Sequence, residues 1–358
     1  MSRRALDLTQ RRADAGVLLD VRDLRTGFRS PRGLVRAVDG VTFTLKRGKA
    51  LGIVGESGSG KTVLSRSIMG LLPKRATVRS GEVLFEGVDI MRHSAKQMRE
   101  LWGTEMSMIF QDPMTSLNPV VRIGRQITES LTETMDMPMD QAVAAAERLL
   151  GEVRIPEPAR RMKEYPYQLS GGMRQRIAIA VALACGPALL FADEPTTALD
   201  VTVQAQILDL LGEQQQDRNM AMILVTHDLG VVAGRTDDIA VMYAGKLVEK
   251  ASTRALFENV KMPYTEALLR SIPKLEEPSH TRLQVIGGRP PDLVNPPAGC
   301  RFAPRCPYAQ DRCRVDEPPL IEAETPDHFY ACWYPVGSDV WLAAQDRIHN
   351  STLSAGGL

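Results

Sequence analysis

A glycine-rich run of eight residues lies between an apolar run and an amphipathic segment, and it constrains the fold more than any other feature. Residues 50–54 are almost continuously apolar, as expected of a central strand buried on both faces. Residues 62–72 have a helical pattern that Pro73 ends. A strand, a tight glycine loop and a helix in this order predict a phosphate-binding loop. The residues that fit the spacing G-x-x-x-x-G-K-S/T are Gly55, Glu56, Ser57, Gly58, Ser59, Gly60, Lys61 and Thr62.

The residue types in this run suit the binding of a nucleoside triphosphate. Glycines let the backbone approach a phosphate closely, with dihedral angles that a Cβ atom would oppose. The backbone N–H groups then point at the anion, and the dipole of the following helix adds to the attraction. The ammonium group of Lys61 can reach the β- and γ-phosphates, and the Thr62 hydroxyl can ligate Mg²⁺. By itself the motif specifies only Mg²⁺ and a nucleoside triphosphate.

Two adjacent acids follow a second apolar run. Residues 188–192 are apolar and lead into Asp193 and Glu194. An acid at the end of a buried strand can hold Mg²⁺ through water, which is the role predicted for Asp193. An acid beside it can orient and deprotonate an attacking water, so Glu194 is the predicted general base. The run LSGGMRQR at residues 169–176 precedes this pair by one helix, and PTTALD follows it at residues 195–200.

Together these motifs resemble the ATP-binding cassette (ABC) family over about residues 17–273. GESGSGKT resembles the family's Walker A motif, LLFADEP its Walker B motif and LSGG its signature. The resemblance implies an α/β P-loop fold, with a RecA-like core, an antiparallel β subdomain and an α-helical subdomain at about residues 94–184. In this sequence a small Cys-rich C-terminal module follows the cassette. The implied cofactors are ATP and Mg²⁺, and the implied activity is ATP hydrolysis.

The resemblance also assigns roles to further residues. Gln111 is similar to the family residue that touches Mg²⁺ and senses the γ-phosphate, and His227 is similar to the switch histidine. Asp200 lies in the matching D-loop, and Phe28 matches the aromatic residue that stacks on adenine, where tyrosine is commoner. In the family the signature closes on the γ-phosphate held by a second cassette, so a partner chain is expected. The signature residues are Ser170, Gly171 and Gly172.

Three finer runs, at residues 110–119, 194–202 and 263–269, resemble the ATPases of dipeptide, oligopeptide and nickel permeases. This resemblance implies peptide uptake by a bacterial importer, with the chain peripheral on the cytoplasmic face of the inner membrane. The implied partners are a second ABC ATPase subunit, expected to be a paralogue, two transmembrane permease subunits and an extracytoplasmic solute-binding protein. Two alternatives stay open. One is the same machine importing nickel or another small solute, and the other is a soluble cassette regulator with a metal-sensing tail.

Charge and hydropathy argue against two classes of protein. The 358 residues carry 44 Lys and Arg against 43 Asp and Glu, a net charge of +1, so the basic field of a nucleic-acid-binding protein is absent. The longest apolar run, residues 177–192, is too short to span about 30 Å of hydrocarbon, which argues against a membrane-spanning protein.

The expected domain organisation is a flexible arm (1–16), the ATPase (17–272), a Cys-rich regulatory module (273–335) and a weakly ordered tail (336–358).

Four of the five cysteines lie close together in the sequence: Cys300, Cys306, Cys313 and Cys332. Four thiols in a reducing compartment suit either a [4Fe–4S] cluster or a Zn²⁺ site better than disulfides. Their spacing lacks the close C-x₂₋₄-C pairs of structural zinc, so we expect the iron–sulfur cluster, with zinc or no metal as alternatives. The permease resemblance favours the same centre. Nearby arginines are expected to stabilise the thiolates, namely Arg301, Arg305, Arg312 and Arg314.

His328 is a further candidate ligand of this centre. The simpler alternative is a surface histidine near a proline.

Overall fold

The computed structural model describes residues 16–112, 116–197, 199–272 and 286–355, and within these ranges the strands form two sheets. The strands are β1 (Val17–Ser30), β2 (Gly33–Lys46), β3 (Ala50–Val54), β4 (Thr77–Phe85), β5 (Val88–Asp89), β6 (Met106–Ile109), β7 (Leu189–Asp193), β8 (Ala221–Thr226), β9 (Asp238–Tyr243), β10 (Lys246–Ser252), β11 (Ile321–Glu322) and β12 (Phe329–Tyr330). The α-helices are α1 (Lys61–Ile68), α2 (Ala95–Leu101), α3 (Ile123–Met135), α4 (Met139–Glu152), α5 (Pro158–Arg161), α6 (Gly171–Leu183), α7 (Val201–Asp217), α8 (Leu229–Val232), α9 (Thr253–Glu258), α10 (Pro263–Arg270), α11 (Asp311–Val315) and α12 (Asp339–Ala355).

The strand order determines which loops meet. The larger sheet has the order β11-β12-β10-β9-β3-β8-β7-β6, and its strands from β9 to β6 are parallel. The smaller sheet, β2-β1-β4-β5, is antiparallel. Because the carboxyl ends of parallel strands meet at one edge of a sheet, the residues that follow β3, β6, β7 and β8 lie side by side.

The parallel strands are buried on both faces, and alternate residues pack into two hydrophobic cores. Leu190 and Leu224 face the core that contains apolar residues of α3, α4, α6 and α7. Phe191 and Ile223 face the other core, which contains residues of α1 and of the antiparallel sheet. Every residue of β7 and β8 is buried, which explains why both strands appear in the sequence as continuous apolar runs.

The segment expected to be helical, at about residues 94–184, also contains a strand. Helices α2 to α6 lie in it, but β6 pairs in parallel with β7 and completes one edge of the main sheet. The interpretation of this whole segment as helical is wrong at these four residues. The run Met-Ser-Met-Ile is too short to show a period, and methionine does not favour strands as β-branched residues do.

The Cys-rich module is joined to the cassette by β-structure. Strand β12 pairs antiparallel with β10, so the β11–β12 hairpin extends the main sheet. His328, beside β12, is fully buried, and its Nε2 lies 2.8 Å from Oε1 of the buried Glu249. Glu249 also accepts hydrogen bonds from the backbone N–H groups of Lys261 (2.7 Å) and Met262 (3.1 Å). The alternative that His328 is a surface histidine is therefore wrong.

The segment 336–358, expected to be weakly ordered, contains helix α12. The ring of Trp341 lies 5.6 Å from that of Tyr308, Gln345 donates a hydrogen bond to the Tyr308 hydroxyl at 2.9 Å, and Ala344 is buried. The helix has its packing partners in the Cys-rich module, which local sequence does not reveal. Among the described residues, neither this helix nor any other is long and apolar enough to cross a membrane.

Candidate nucleotide site

The glycine-rich loop between β3 and α1 follows a path that requires glycine. Gly55, Gly58 and Gly60 have φ values of +155°, +79° and +105°. A Cβ atom at Gly55 would lie 2.1 Å from the carbonyl oxygen of Met242, and one at Gly60 would lie 2.2 Å from that of Ala37. Both contacts are with backbone, so no side-chain rotation relieves them. The loop therefore has the tight conformation that the motif predicts.

Lys61 points its ammonium group into this loop. Its Nζ donates to the carbonyl oxygens of Gly55 (2.7 Å) and Glu56 (3.1 Å), and the residue is only 4% exposed. Burial lowers the pKa of Lys61, whereas the charges of Glu194 and Asp193 oppose that shift. The ammonium group is thus held among the loop carbonyls and near two carboxylates, where a polyphosphate chain can meet it.

Thr62 and Asp193 join the loop to the end of β7. The Thr62 hydroxyl donates to Asp193 Oδ1 at 2.8 Å. Asp193 is fully buried, and its Oδ2 has no hydrogen-bond partner among the described residues. Burial raises the pKa of Asp193, and the hydrogen bond from Thr62 opposes this. An unpartnered, buried carboxylate oxygen beside a hydroxyl fits the oxygen ligands that Mg²⁺ prefers.

Three side chains converge on one oxygen of Glu194. Gln111 Nε2 donates to Glu194 Oε2 at 3.0 Å, the Thr197 hydroxyl donates to it at 3.1 Å, and Nδ1 of His227 lies 3.6 Å away. Glu194 has a φ of +46°, and its N–H donates to the carbonyl oxygen of Val225 at 2.9 Å. The loops after β6, β7 and β8 thus bring together three residues that the resemblance singles out. Thr197 was not predicted, although it lies within the same motif.

The signature and the predicted D-loop residue occupy the starts of neighbouring helices. Ser170 is the N-cap of α6, and its Oγ accepts from the Met173 N–H at 3.4 Å. Asp200 is the N-cap of α7 and accepts from the Val203 N–H at 2.9 Å. A Cβ atom at Gly172 would lie 2.9 Å from Val203 Cγ1, so the two helix starts pack closely there. Ser170 and Gly171 are exposed.

The other predicted nucleotide contacts lie in two places. Ser59 is buried, and within the described part of the chain its Oγ has no hydrogen-bond partner, whereas Ser57 at the tip of the loop is exposed. Phe28 is partly buried on β1, opposite Val35 and Thr77, in the antiparallel sheet and not in the sheet that carries the loop. Residues 113–115 and 198, which belong to the runs that carry the family resemblance, lie outside the described residues.

The four clustered cysteines are near one another in the fold. The Cys300 N–H donates to the Cys313 carbonyl oxygen at 2.8 Å. Burial raises the pKa of Cys306 to about 12 and also raises those of Cys300 and Cys332, and the charges of neighbouring cysteines add to each shift. Hydrogen bonds from the backbone oppose the rise at all three. Among the described residues, no three His, Cys, Asp or Glu side chains are arranged around a position for a single metal ion.

Two of the nearby arginines interact with carboxylates of the cassette. Arg301 pairs with Asp39, and Arg305 pairs with Glu56. The expectation that these two side chains stabilise thiolates is wrong, because their guanidinium groups are engaged elsewhere. Arg312 lies over the Trp333 ring, with 3.5 Å between its Cζ and the ring centroid.

Comparison with known proteins agrees with this geometry. A family profile described as "ABC transporter" matches residues 38–197, and one described as "Oligopeptide/dipeptide transporter, C-terminal region" matches residues 248–313. A probable peptide ABC transporter ATP-binding protein of Sinorhizobium fredii is 50% identical over 89% of this chain and 95% of its own length. This chain belongs to the ABC transporter family. It is an ABC ATPase of the branch that contains oligopeptide and dipeptide transport subunits.

Further relatives support the same placement in the family. The oligopeptide transport ATP-binding protein OppD of Salmonella typhimurium is 48% identical over 92% of this chain and 97% of its own length. The dipeptide transport ATP-binding protein DppD of Bacillus subtilis is 49% identical over 88% and 94%. Among solved structures, the ABC cassette MJ0796, in a dimeric post-hydrolysis state with ADP and Pi, superposes with a TM-score of 0.60 at 25% identity. That likeness covers 66% of this chain and 99% of the other, and confirms the predicted cassette fold.

Proposed function

We propose that this chain is the ATP-hydrolysing subunit of a bacterial ABC importer that takes up dipeptides or oligopeptides. The observation that carries the proposal is the 48–50% identity to peptide-transport ATP-binding subunits over about nine-tenths of the chain. The similarity extends beyond the cassette, because the C-terminal region also matches the oligopeptide/dipeptide profile. The geometry around Lys61, Asp193 and Glu194 supports hydrolysis and not only binding.

The binding and proton-transfer steps of ATP hydrolysis can be assigned to residues of this chain. The loop at residues 55–62 binds the phosphates, with Lys61 neutralising the β- and γ-phosphate charge. Thr62, Asp193 and Gln111 would hold Mg²⁺, which supplies charge neutralisation on the phosphate oxygens. Glu194 accepts a proton from water as the water oxygen bonds to the γ-phosphorus and the bond to the β–γ bridging oxygen breaks. ADP and phosphate leave.

Gln111 and His227 would report the γ-phosphate to the rest of the molecule. Both contact or approach Glu194 Oε2, so a change at the γ-phosphate reaches the loops after β6 and β8 directly. Phe28 is proposed to stack on adenine.

A second cassette is proposed to complete the site. Ser170 and Gly171 are exposed at the start of α6, where backbone N–H groups and a hydroxyl can bind an anion from another chain. Asp200 stands at the start of the adjacent α7 and would face the same partner. We propose that this partner is a paralogous ATPase subunit, and that two permease subunits and an extracytoplasmic solute-binding protein complete the importer. The chain would then lie peripherally on the cytoplasmic face of the inner membrane.

Transport assays test the substrate class. Cells that lack this chain should lose uptake of labelled dipeptide or tetrapeptide, and the parent chain, but not its Glu194→Gln variant, should restore it. Uptake of labelled Ni²⁺ should be unaffected. Loss of Ni²⁺ uptake alone would replace the peptide with a metal ion as cargo. If the cells lose neither peptide uptake nor Ni²⁺ uptake, and the chain does not co-purify with two hydrophobic subunits in detergent, the soluble regulator is favoured.

We also propose that Cys300, Cys306, Cys313 and Cys332 hold a [4Fe–4S] cluster, with Zn²⁺ as the alternative. Support comes from the proximity of the four cysteines, since Cys332 interacts electrostatically with the other three and the Cys300 N–H donates to the Cys313 carbonyl oxygen. When bound, the centre would cross-link four points of a short, irregular module. His328 is not included, because its Nε2 faces Glu249.

Metal analysis of protein purified without oxygen tests this centre. We expect about four iron and four sulfide per chain, with visible absorption, as the cluster type requires. Cys306→Ser should lose both. Cys185→Ser is the matched control, because this fifth cysteine donates to the Ser130 carbonyl oxygen and is not part of the group. One zinc without iron would establish the alternative, and no metal in freshly isolated protein would contradict both.

A further inference from the structure

The side chain of Arg305 crosses from the Cys-rich module to the phosphate loop. Its Nη1 and Nη2 donate to the two carboxylate oxygens of Glu56 at 2.6 and 2.9 Å. Its remaining donors reach the carbonyl oxygens of Gly287 (2.8 Å) and Ile286 (3.1 Å) and the hydroxyl of Tyr243 (3.3 Å). The side chain is only 3% exposed. The Glu56 side chain is 27% exposed, but the two-pronged contact with the buried guanidinium holds its carboxylate in one position.

Glu56 is the second residue of the phosphate loop, and each of its polar groups is held. Its N–H donates to the Tyr264 hydroxyl at 2.9 Å. Its carbonyl oxygen accepts from the Ser59 N–H (3.1 Å) and from Lys61 Nζ (3.1 Å). Arg305 holds the carboxylate. Moving the Glu56 side chain would therefore disturb the carbonyl that Lys61 contacts.

Arg305 is positioned by a segment that the cassette holds firmly. Within residues 300–306, Arg301 pairs with the buried Asp39 and donates to the Ala244 carbonyl oxygen. The ring of Phe302 lies 5.3 Å from those of both Tyr243 and Tyr264.

Two of the four clustered cysteines, Cys300 and Cys306, are the ends of this segment. Whatever orders the cysteines thus also orders Arg305.

We propose that Arg305 is a positioning residue for ATP binding, through which the Cys-rich module sets the affinity of the cassette for nucleotide. It acts by neutralising Glu56 and by holding the loop in its binding conformation. Without Arg305, an uncompensated carboxylate would stand in the loop that receives a polyanion, and the repulsion would grow with the charge of the nucleotide. The proposal rests on the ATP-binding function of the cassette and is independent of which solute is transported.

A charge cycle on the full-length chain tests the proposal. Dissociation constants for MgATP and MgADP are measured by fluorescence for the parent, Arg305→Gln, Glu56→Gln and the double variant. We expect Arg305→Gln to weaken MgATP binding about tenfold, and MgADP binding less, because the two ligands differ in charge. In the Glu56→Gln background, Arg305→Gln should have little further effect, since its target charge is gone.

Two controls separate this role from a structural one. Arg254→Gln removes an exposed arginine that pairs with Glu258, and its nucleotide affinity should match the parent's. Arg305→Lys keeps the charge but not the two-pronged contact, and should bind MgATP better than Arg305→Gln does. Equal losses for MgATP and MgADP that persist in the Glu56→Gln background would overturn the proposal, as would parental affinity in folded Arg305→Gln. A parent chain that bound no nucleotide would instead refute the assignment of the cassette.

Discussion

Replacing Glu194 by glutamine should leave ATP binding intact and reduce turnover by about 10²–10⁴-fold, the range that a positioned general base contributes. The amide has the same shape and keeps an oxygen that can accept from Gln111 and Thr197, so the loops after β6 and β7 should hold their positions. It cannot accept the proton of the attacking water. Binding and chemistry are therefore expected to separate in this variant.

Equilibrium binding of MgATP and release of phosphate measure the two effects. Affinity should stay near that of the parent, and ATP should hold a cassette dimer together, because hydrolysis no longer removes the γ-phosphate. Glu258→Gln serves as the matched control, since this exposed carboxylate lies on α9 and pairs with Arg254. Steady hydrolysis by Glu194→Gln, at a rate near the parent's, would contradict the assignment of the general base.

The parts of the site that the sequence predicts are those formed by contiguous residues. The phosphate loop is one run of eight residues between a strand and a helix, and its glycines are required by backbone contacts at Gly55 and Gly60. Asp193 is the last residue of a strand whose residues are all buried, and Glu194 follows it, so a continuous apolar run marks the position of this pair in the sequence. Parallel strand order then brings Gln111 and His227 to Glu194.

The contacts that sequence reasoning missed join residues far apart in the chain. Arg305 and Glu56 are 249 positions apart, and His328 and Glu249 are 79 apart. No local period or spacing encodes such pairs. The first depends on how residues 300–306 pack on the cassette, and the second on how the β11–β12 hairpin pairs with β10. The contact between Thr197 and Glu194 could not be predicted for a different reason. The motif names two neighbouring threonines, and only the backbone turn at Glu194 decides which hydroxyl reaches the carboxylate.

Replacing Lys61 by alanine should act on binding itself. The ammonium group is the main side-chain partner of the phosphate charge, and hydrogen bonds to charged groups are worth about 1.5–3 kcal/mol. We therefore expect MgATP to bind about 10–100-fold more weakly, since 1.4 kcal/mol corresponds to tenfold in affinity. The two nearby carboxylates, Asp193 and Glu194, would also lose a compensating cation, which adds to the repulsion of a polyanion.

Lys61→Met controls for a loss of binding caused by altered folding, because methionine keeps the buried aliphatic part of the side chain and removes the charge. Lys49→Ala is the matched control, as this half-exposed lysine pairs with Asp237 outside the loop. Parental affinity in both Lys61 variants would show that the loop binds phosphate without its lysine. Weak MgATP binding in the Lys61 variants and tight MgATP binding in Glu194→Gln would together distinguish two roles. Lys61 would be the residue that holds the γ-phosphate, and Glu194 the one that activates the attacking water. Turnover at low ATP concentration cannot by itself make that distinction, because it falls in both kinds of variant.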